Sequence, residues 1–399
     1  MTGDGTLFVH LVEPREWRAA LTAGAVGPPS LATVGFVQLS TLDQVHPQAQ
    51  ALHPGRRDLL LLVVDPARLA DPRPRPGSRP EGEEGREDGV LRLYGPLPTS
   101  AVVAVVPYRP PVPPSLPAPD DVLGRTLAHY ASLPVRRAVG VGDVPGGIAV
   151  LDPDFPYSRD NNRLVLTTPV DAATIEATAA DVAGNAGWPH QAATLLWPGA
   201  ADVAADLAGR RWGTEELLLM ARGADPLPGG ECAQVVDQLE VHGLWDRSWR
   251  ADLPQTGQLL DRIVAQLIGR ERLNDRVLAV HDVVVREDGG VVAAAQLRVD
   301  GATAAVESVM TDPSRPRTRA RRRRARPVRG PRRRGRLRPR RAGGRGGRLA
   351  AALVRPSRLR GRRHQLVRQP PCLTPRPARA PTAAGRPRRP TAAASPAGP

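Results

Sequence analysis

Val277–Ser314 reads VLAVHDVVVREDGGVVAAAQLRVDGATAAVESVMTDPS, and two dipeptides in it decide the fold. Asp288-Gly289 and Asp300-Gly301 each separate apolar stretches dominated by Val and Ala. Asp-Gly suits a tight hairpin turn because glycine adopts positive φ without a Cβ clash. The stretch is therefore read as three consecutive antiparallel strands. A helical pattern, GQLLDRIVAQLIGRERL, leads into them. Immediately after them the composition breaks. No acidic residue follows Asp312, and residues 313–399 carry 29 arginines with no Phe, Trp or Tyr. The first 312 residues hold the other 27 of the 56 basic residues against all 40 acidic ones, a net of −13 in a chain of net +16. There is no lysine at all, the mark of a very GC-rich gene.

Upstream of the hairpins, residues 122–250 alternate helical and strand patterns. DVLGRTLAHYASL, DAATIEATAADVAGNAG and ADVAADLAGRRWG read as helices. GGIAVLDPDFPYSRDNNRLVLTT reads as two strands around a polar loop, with further strands at ATLLWPG and EELLLMARG. That order suits a β/α domain with a layered sheet. Residues 109–121 form a proline-rich linker, the clearest domain boundary. Residues 1–108 read as a small α+β domain: strands at LFVHLV, VGFVQLS, DLLLLVVD, LRLYGPLP and AVVAVVPY, with helices after Pro14 and at TLDQVHPQAQAL. Residues 71–89, all Pro, Gly and charge, are expected to be a disordered loop. The fold class expected is thus α+β, in domains 1–108, 122–250 and 251–314, with a disordered Arg- and Pro-rich tail over 315–399.

Several function classes recede on these grounds. Cys232 and Cys372 are too few and too distant for a disulfide or metal framework, and Cys232 reads as a small buried residue. His242 and His281 lack metal-ligand spacing, so no metal site is expected. No apolar run approaches the length of a membrane span, and MTGDGTLFVHLVEP lacks the layout of a signal peptide. A soluble cytoplasmic protein is the expectation. Trp188, Trp197, Trp212, Trp245 and Trp249 read as core or lobe-interface residues.

A helix, two hairpins and a strand ending VESVMTDPS resemble the core of the GNAT family of acetyl-CoA-dependent N-acetyltransferases. In that family the strand runs into a glycine-rich loop whose backbone N–H groups hold the CoA pyrophosphate. Here the chain continues SRPRTRARRRR. Read one base further on, the codons of Arg315–Arg322 can encode G-R-G-R-G-H-G-D. Those of Leu337–Gly347 can encode C-D-L-V-V-L-E-A-x-x-D, and those of Leu353–Arg360 can encode W-Y-A-R-L-G-F-E. These correspond, in order, to the family's pyrophosphate loop, its next strand and its W-Y-x-x-x-G-F segment, which implies a frameshift near codon 314. The resemblance further implies an acetyl transfer from acetyl-CoA to an unidentified amine. The backbone near Val309 and Thr311 would pair with the pantetheine arm, and Glu307 would act as base or substrate contact; its bland alternative is a solvated strand carboxylate. Without the loop, the chain is expected to be inactive. Residues 122–250 look like the first lobe of a tandem GNAT protein, with an unrelated α/β lobe as the alternative. The glycines of VGVGDVPGGIAV read as turn residues, because no helix follows them.

The competing function is nucleic-acid binding by the basic tail through counterion release. The absence of aromatic residues for base stacking argues against a selected role. The N-terminal domain follows another pattern. VHLVEPREWRAA, PPSLATVGFVQLS, DLLLLVVDPARL and LYGPLPTSAVVAVVP together resemble family 952 among domains of unknown function, over about residues 6–107. That resemblance implies a fold related to ADP-ribosyltransferases and a small-ligand or NAD-related pocket lined by His10, Ser30, Phe36, Ser40 and Tyr94. Where the family has G-F-I-H-C-S this chain has Gly35-Phe36-Val37-Gln38-Leu39-Ser40, and Arg92-Leu93 replace a further His before Tyr94. The loss of two histidines removes candidate acid–base groups. The alternative reading of His10 is a strand-end histidine bonded to backbone.

Overall fold

The computed structural model describes residues 7–69, 75–76, 91–111, 114–223, 233–314 and 362–368. It is mixed α and β throughout. The N-terminal part runs β1 (Phe8–Val12), α1 (Pro14–Ala23), β2 (Ala25–Val26), α2 (Pro29–Val34), β3 (Val37–Leu39) and α3 (Leu42–Leu52). It continues through β4 (Leu59–Val64), β5 (Arg75–Pro76), β6 (Leu91–Leu93), β7 (Leu97–Pro98) and β8 (Val102–Tyr108). Pro14 opens α1 at a position whose N–H would be unpaired anyway, and Gly24 closes it at φ 85°. The central sheet is antiparallel in the order β1-β4-β8. All six residues of β4 are buried, which explains its unbroken apolar run. Leu60, Leu62 and Val64 face Trp17, while Leu59, Leu61 and Val63 face Val45, Ala49 and Tyr108. The sheet is therefore covered on both sides. The expectation of a disordered loop over residues 71–89 is corrected at Arg75–Pro76, which pair with β6. A proline is tolerated there because β5 is an edge strand.

The next part holds α4 (Val122–Arg137), β9 (Gly140–Val144), β10 (Gly147–Leu151), β11 (Arg163–Leu166), α5 (Ala172–Ala186), β12 (Gln191–Leu195), α6 (Ala200–Gly209) and β13 (Gly213–Leu218). Asp121 caps α4 by accepting from Gly124 N at 2.8 Å, and Asp171 caps α5 by accepting from Thr174 N at 2.9 Å. β9, β10 and β11 form an antiparallel meander, and Gly146, at φ 79°, turns between β9 and β10 as its sequence suggests. α5 then crosses over so that β12 joins β11 in parallel. Ile175, Leu195, Trp197, Leu207 and Trp212 fill the core beneath.

β14 (Ala233–Val236), α7 (Leu239–Asp252), α8 (Gly257–Gly269), a 3₁₀ segment at Arg270–Arg276, β15 (Ala279–Glu287), β16 (Gly290–Asp300) and β17 (Thr303–Thr311) complete a second sheet, ordered β14-β15-β16-β17 and wholly antiparallel. Both Asp-Gly turns fall where the sequence puts them. The change of sheet falls between Leu218 and Ala233, upstream of residue 250, because β14 pairs with β15 across the two intervening helices. Trp245 on α7 packs against Val284 and Ala294.

Within the tail over 315–399, one short stretch is described. Arg362–Arg368 forms β18, antiparallel to both β12 and β13 and lying between them. The crossover through α6 leaves a strand-wide gap there, with backbone donors and acceptors on both sides for an extended segment to satisfy. The other tail residues past Ser314 lie outside the described residues.

The N-terminal domain and the second sheet are in direct contact at the β16–β17 turn. Ala302 N donates to Val102 O at 2.7 Å, and Thr303 Oγ1 donates to Val103 O at 2.8 Å. Trp17 Nε1 donates to Asp300 Oδ1 at 2.9 Å.

Candidate active site

A cavity of about 90 Å³ lies where α4, the 152–163 loop, the 3₁₀ segment, β16 and β17 converge. α4 contributes His129, Tyr130, Leu133, Pro134 and Arg137, residues that recur on one helical face. The 3₁₀ segment contributes Arg270 and Glu271, the loop Asp160, β11 Arg163, and the second sheet Arg298, Glu307 and Ser308. The lining is predominantly ionic, and its charges interlock. Asp160 pairs with Arg163 at 3.1 Å and Arg270 at 2.9 Å. Glu271 pairs with Arg298 at 2.7 Å and Arg270 at 3.4 Å. Arg298 also donates to Gln296 Oε1, and Gln296 in turn donates to Asp282 at 3.0 Å. Burial raises the Asp282 carboxyl above the usual carboxylate range.

Glu307 is half-buried and accepts a short hydrogen bond from the Tyr130 hydroxyl. It is therefore not the freely solvated strand carboxylate of the bland reading. Sequence reasoning missed Tyr130, which lies 177 residues from Glu307 on helix α4. Only its helical position facing inward could have hinted at it. The next residues on β17 break the ladder. Gln296 pairs with Glu307 and Ala294 with Met310, so Ala295 alone faces Ser308 and Val309. Ser308 sits at φ 51°, the left-handed region, and Val309 turns its side chain outward at 69 % exposure. This is a β-bulge, a device that re-aims side chains and frees backbone groups. β17 is an edge strand among the described residues, so its backbone near Val309 and Thr311 faces no described strand on the outer side.

The N-terminal candidates divide into two groups. His10 is buried on β1, its Nδ1 hydrogen-bonded to Gln38 O at 2.9 Å. Burial lowers its pKa, so the ring is neutral and holds backbone, as the plainer reading of this histidine has it. Ser40 bridges backbone to backbone with Val9 and bonds Gln48 through its hydroxyl. Phe36 and Tyr94 meet edge to face at 6.1 Å, with the Arg92 guanidinium 4.9 Å from the Phe36 ring centre. Ser30 lies in α2, its side chain outside the described residues. Of His10, Phe36, Ser40 and Tyr94, none lines a cavity of about 320 Å³ in this domain, which is bounded by Leu42, Val45, His46, Tyr108, Pro110, Pro111 and Pro114. His46 Nδ1 and the Tyr108 hydroxyl hydrogen-bond there at 2.6 Å.

Trp197, Trp212 and Trp245 are buried in the cores, as expected of them. Trp188 stacks on His190, and Trp249 packs at the edge of the α7 cluster with Arg270 6.0 Å from its ring. Cys232 and Cys372 lie outside the described residues. No described helix is long and apolar enough to cross a membrane.

Residues 11–105 match the family DUF952, described as a protein of unknown function, in agreement with the reading of the N-terminal domain. A crystallised protein from Caulobacter crescentus is 30 % identical over 26 % of this chain and 85 % of its own length, with a TM-score of 0.20. A functionally unknown conserved protein from Staphylococcus epidermidis is 10 % identical over 43 % of this chain and 70 % of its own, with a TM-score of 0.34. No curated protein matches the chain.

Proposed function

We propose that, behind its family-952 domain, the chain carries the two-lobed body of an N-acetyltransferase that acetylates an amine from acetyl-CoA. We further propose that a frameshift near codon 314 has removed its phosphate-binding loop. The observation that carries this reading is the bulged edge strand β17. It presents free backbone at Val309 and Thr311 beside a half-buried carboxylate, Glu307, and a hydroxyl, Tyr130. An extended amide chain can add to such an edge through main-chain hydrogen bonds, which fixes the reacting group within reach of the side chains around the bulge. In this reading Glu307 accepts the proton an amine loses as it attacks, and the Tyr130 hydroxyl, which donates to it, orients that carboxylate.

The residues after Ser314 do not suit the diphosphate of CoA as a backbone loop would. SRPRTRARRRR has no glycine, and its one proline, Pro316, lacks an N–H group. The chain as it stands is therefore inactive in this reading.

Two measurements test it. The nucleotide sequence around codons 312–316 should show one base gained or lost relative to a frame that stays open. Calorimetry should then find acetyl-CoA binding in the micromolar range for the restored-frame protein, and millimolar or none for the present chain. Micromolar binding by the present chain, or none by the restored one, would falsify the proposal.

A further inference from the structure

We infer that the ionic cavity is a binding site for a small carboxylate, held by Arg137, and that the acceptor amine of this protein therefore carries an acid group. The second half of that statement rests on the acetyltransferase reading; the first does not. Among the described residues, the cavity is lined by four guanidinium groups and three carboxylates. Asp160 and Glu271 are each shared between two arginines, and Glu307 is engaged by Tyr130. Arg137 is the group left over. Its Nη1 donates to the Asn274 side-chain oxygen and its Nη2 to Asp160 O, both at 3.0 Å, and both acceptors are neutral. Its Nε is buried without a partner among the described residues.

A buried guanidinium without a contacting carboxylate is costly, because protein dipoles replace its hydration only in part. Burial lowers the Arg137 pKa to about 10, with the charges of Arg270 and Arg298 pushing the same way and those of Asp160 and Glu271 offsetting the shift only in part. At neutral pH the group still carries its proton. It is a cation with no carboxylate in direct contact among the described residues, at the wall of a cavity. The surplus is one charge, which a single carboxylate meets. A doubly charged phosphate would exceed it.

Position narrows the ligand further. Tyr130 and Arg137 are seven residues apart on α4, two turns along one face. An amine beside Glu307 and a carboxylate beside Arg137 can therefore belong to one short molecule. The volume of about 90 Å³ admits a few heavy atoms and no peptide chain. A short amino acid with a free carboxylate fits both ends.

The experiment uses the full chain without acetyl-CoA. Glycine, β-alanine and 4-aminobutyrate are titrated by calorimetry, alongside their amides and acetate. At least one acid should bind saturably, and its amide should bind about tenfold more weakly or worse. Arg137→Gln should lose about tenfold in affinity, and Arg137→Lys should lose less because it keeps the charge but not the planar fork. The inference fails if none of the acids binds below about 10 mM, or if acid and amide bind alike. It also fails if Arg137→Gln folds and binds unchanged. The acid–amide comparison needs no variant and so survives a variant that does not fold. Because acetyl-CoA is absent, failure here leaves the acyl-transfer reading standing, and failure of that reading leaves a carboxylate site.

Discussion

Asp300 ties three elements together with one carboxylate. Arg136 on α4 bonds it through both terminal nitrogens, the nearer at 2.5 Å, Trp17 on α1 donates to it, and His129 Nδ1 lies 3.8 Å away. Asp300 and the Arg136 side chain are each 3 % exposed or less. Breaking such a buried pair from one side strands the other charge and costs about 3–5 kcal/mol. Asp300→Asn should therefore lower the urea midpoint sharply. The double variant Asp300→Asn/Arg136→Met should recover much of the loss, since it leaves no orphan charge. A single variant with wild-type stability would mean that Arg136 finds other compensation. His190 makes a second prediction at this scale. It is buried, stacked on Trp188 and bonded to Asn162 O, and desolvation pulls its pKa from 6.5 to about 4. The unfolded chain takes up a proton below 6.5 that the folded chain refuses until about 4. Stability is thus fully present above 6.5 and falls as pH drops towards 4, by about 3 kcal/mol from this residue. His10 and His129 are shifted in the same direction by burial. Urea midpoints measured from pH 7.5 to pH 4.5 should fall, and His190→Gln should flatten that slope.

Among elements, the two Asp-Gly hairpins were legible locally, and they differ in what surrounds them. Gly289 and Gly301 share positive φ, 79° and 71°. A Cβ on Gly289 meets nothing within 4 Å, whereas one on Gly301 would lie 2.6 Å from Val102 O and 2.9 Å from Thr99 O. Gly289→Ala should cost only the conformational penalty, about 1 kcal/mol. Gly301→Ala adds a clash with the N-terminal domain's backbone and should cost about 2–4 kcal/mol in all. The second variant should also quicken proteolysis of the 109–121 linker, and equal effects from both would contradict the docking of this turn. Nothing in the dipeptide announces that difference, because it depends on packing between residues 200 positions apart. The same holds for the site. Glu307 could be nominated from its strand, but Tyr130 and Arg137 reach it only through the fold, and the Ser308–Val309 bulge leaves no trace in the alternation of side chains. Periodicity reports which face is buried; it carries no information about which faces meet.

For the whole molecule, charge separates along the chain: net −13 over residues 1–312, and 29 arginines without an acid beyond. Such a block binds polyphosphates by releasing counterions, whatever frame produced it. Filter binding to a mixed-sequence DNA duplex should show log K falling with log salt by about 0.9 per phosphate contacted, with no preference between unrelated duplexes. Removing residues 315–399 should abolish it. That deletion also takes away β18 and opens the edges of β12 and β13, which invites edge-to-edge association. Deleting only residues 369–399 keeps β18 and separates the two effects: DNA binding should weaken while the protein remains monodisperse by light scattering. A strong preference for one duplex that persists at high salt would contradict this picture and make the tail a selected binding arm. Salt-sensitive, sequence-blind binding would leave the acidic first 312 residues as the part with a built site, and the arginine block as a charge attached to it.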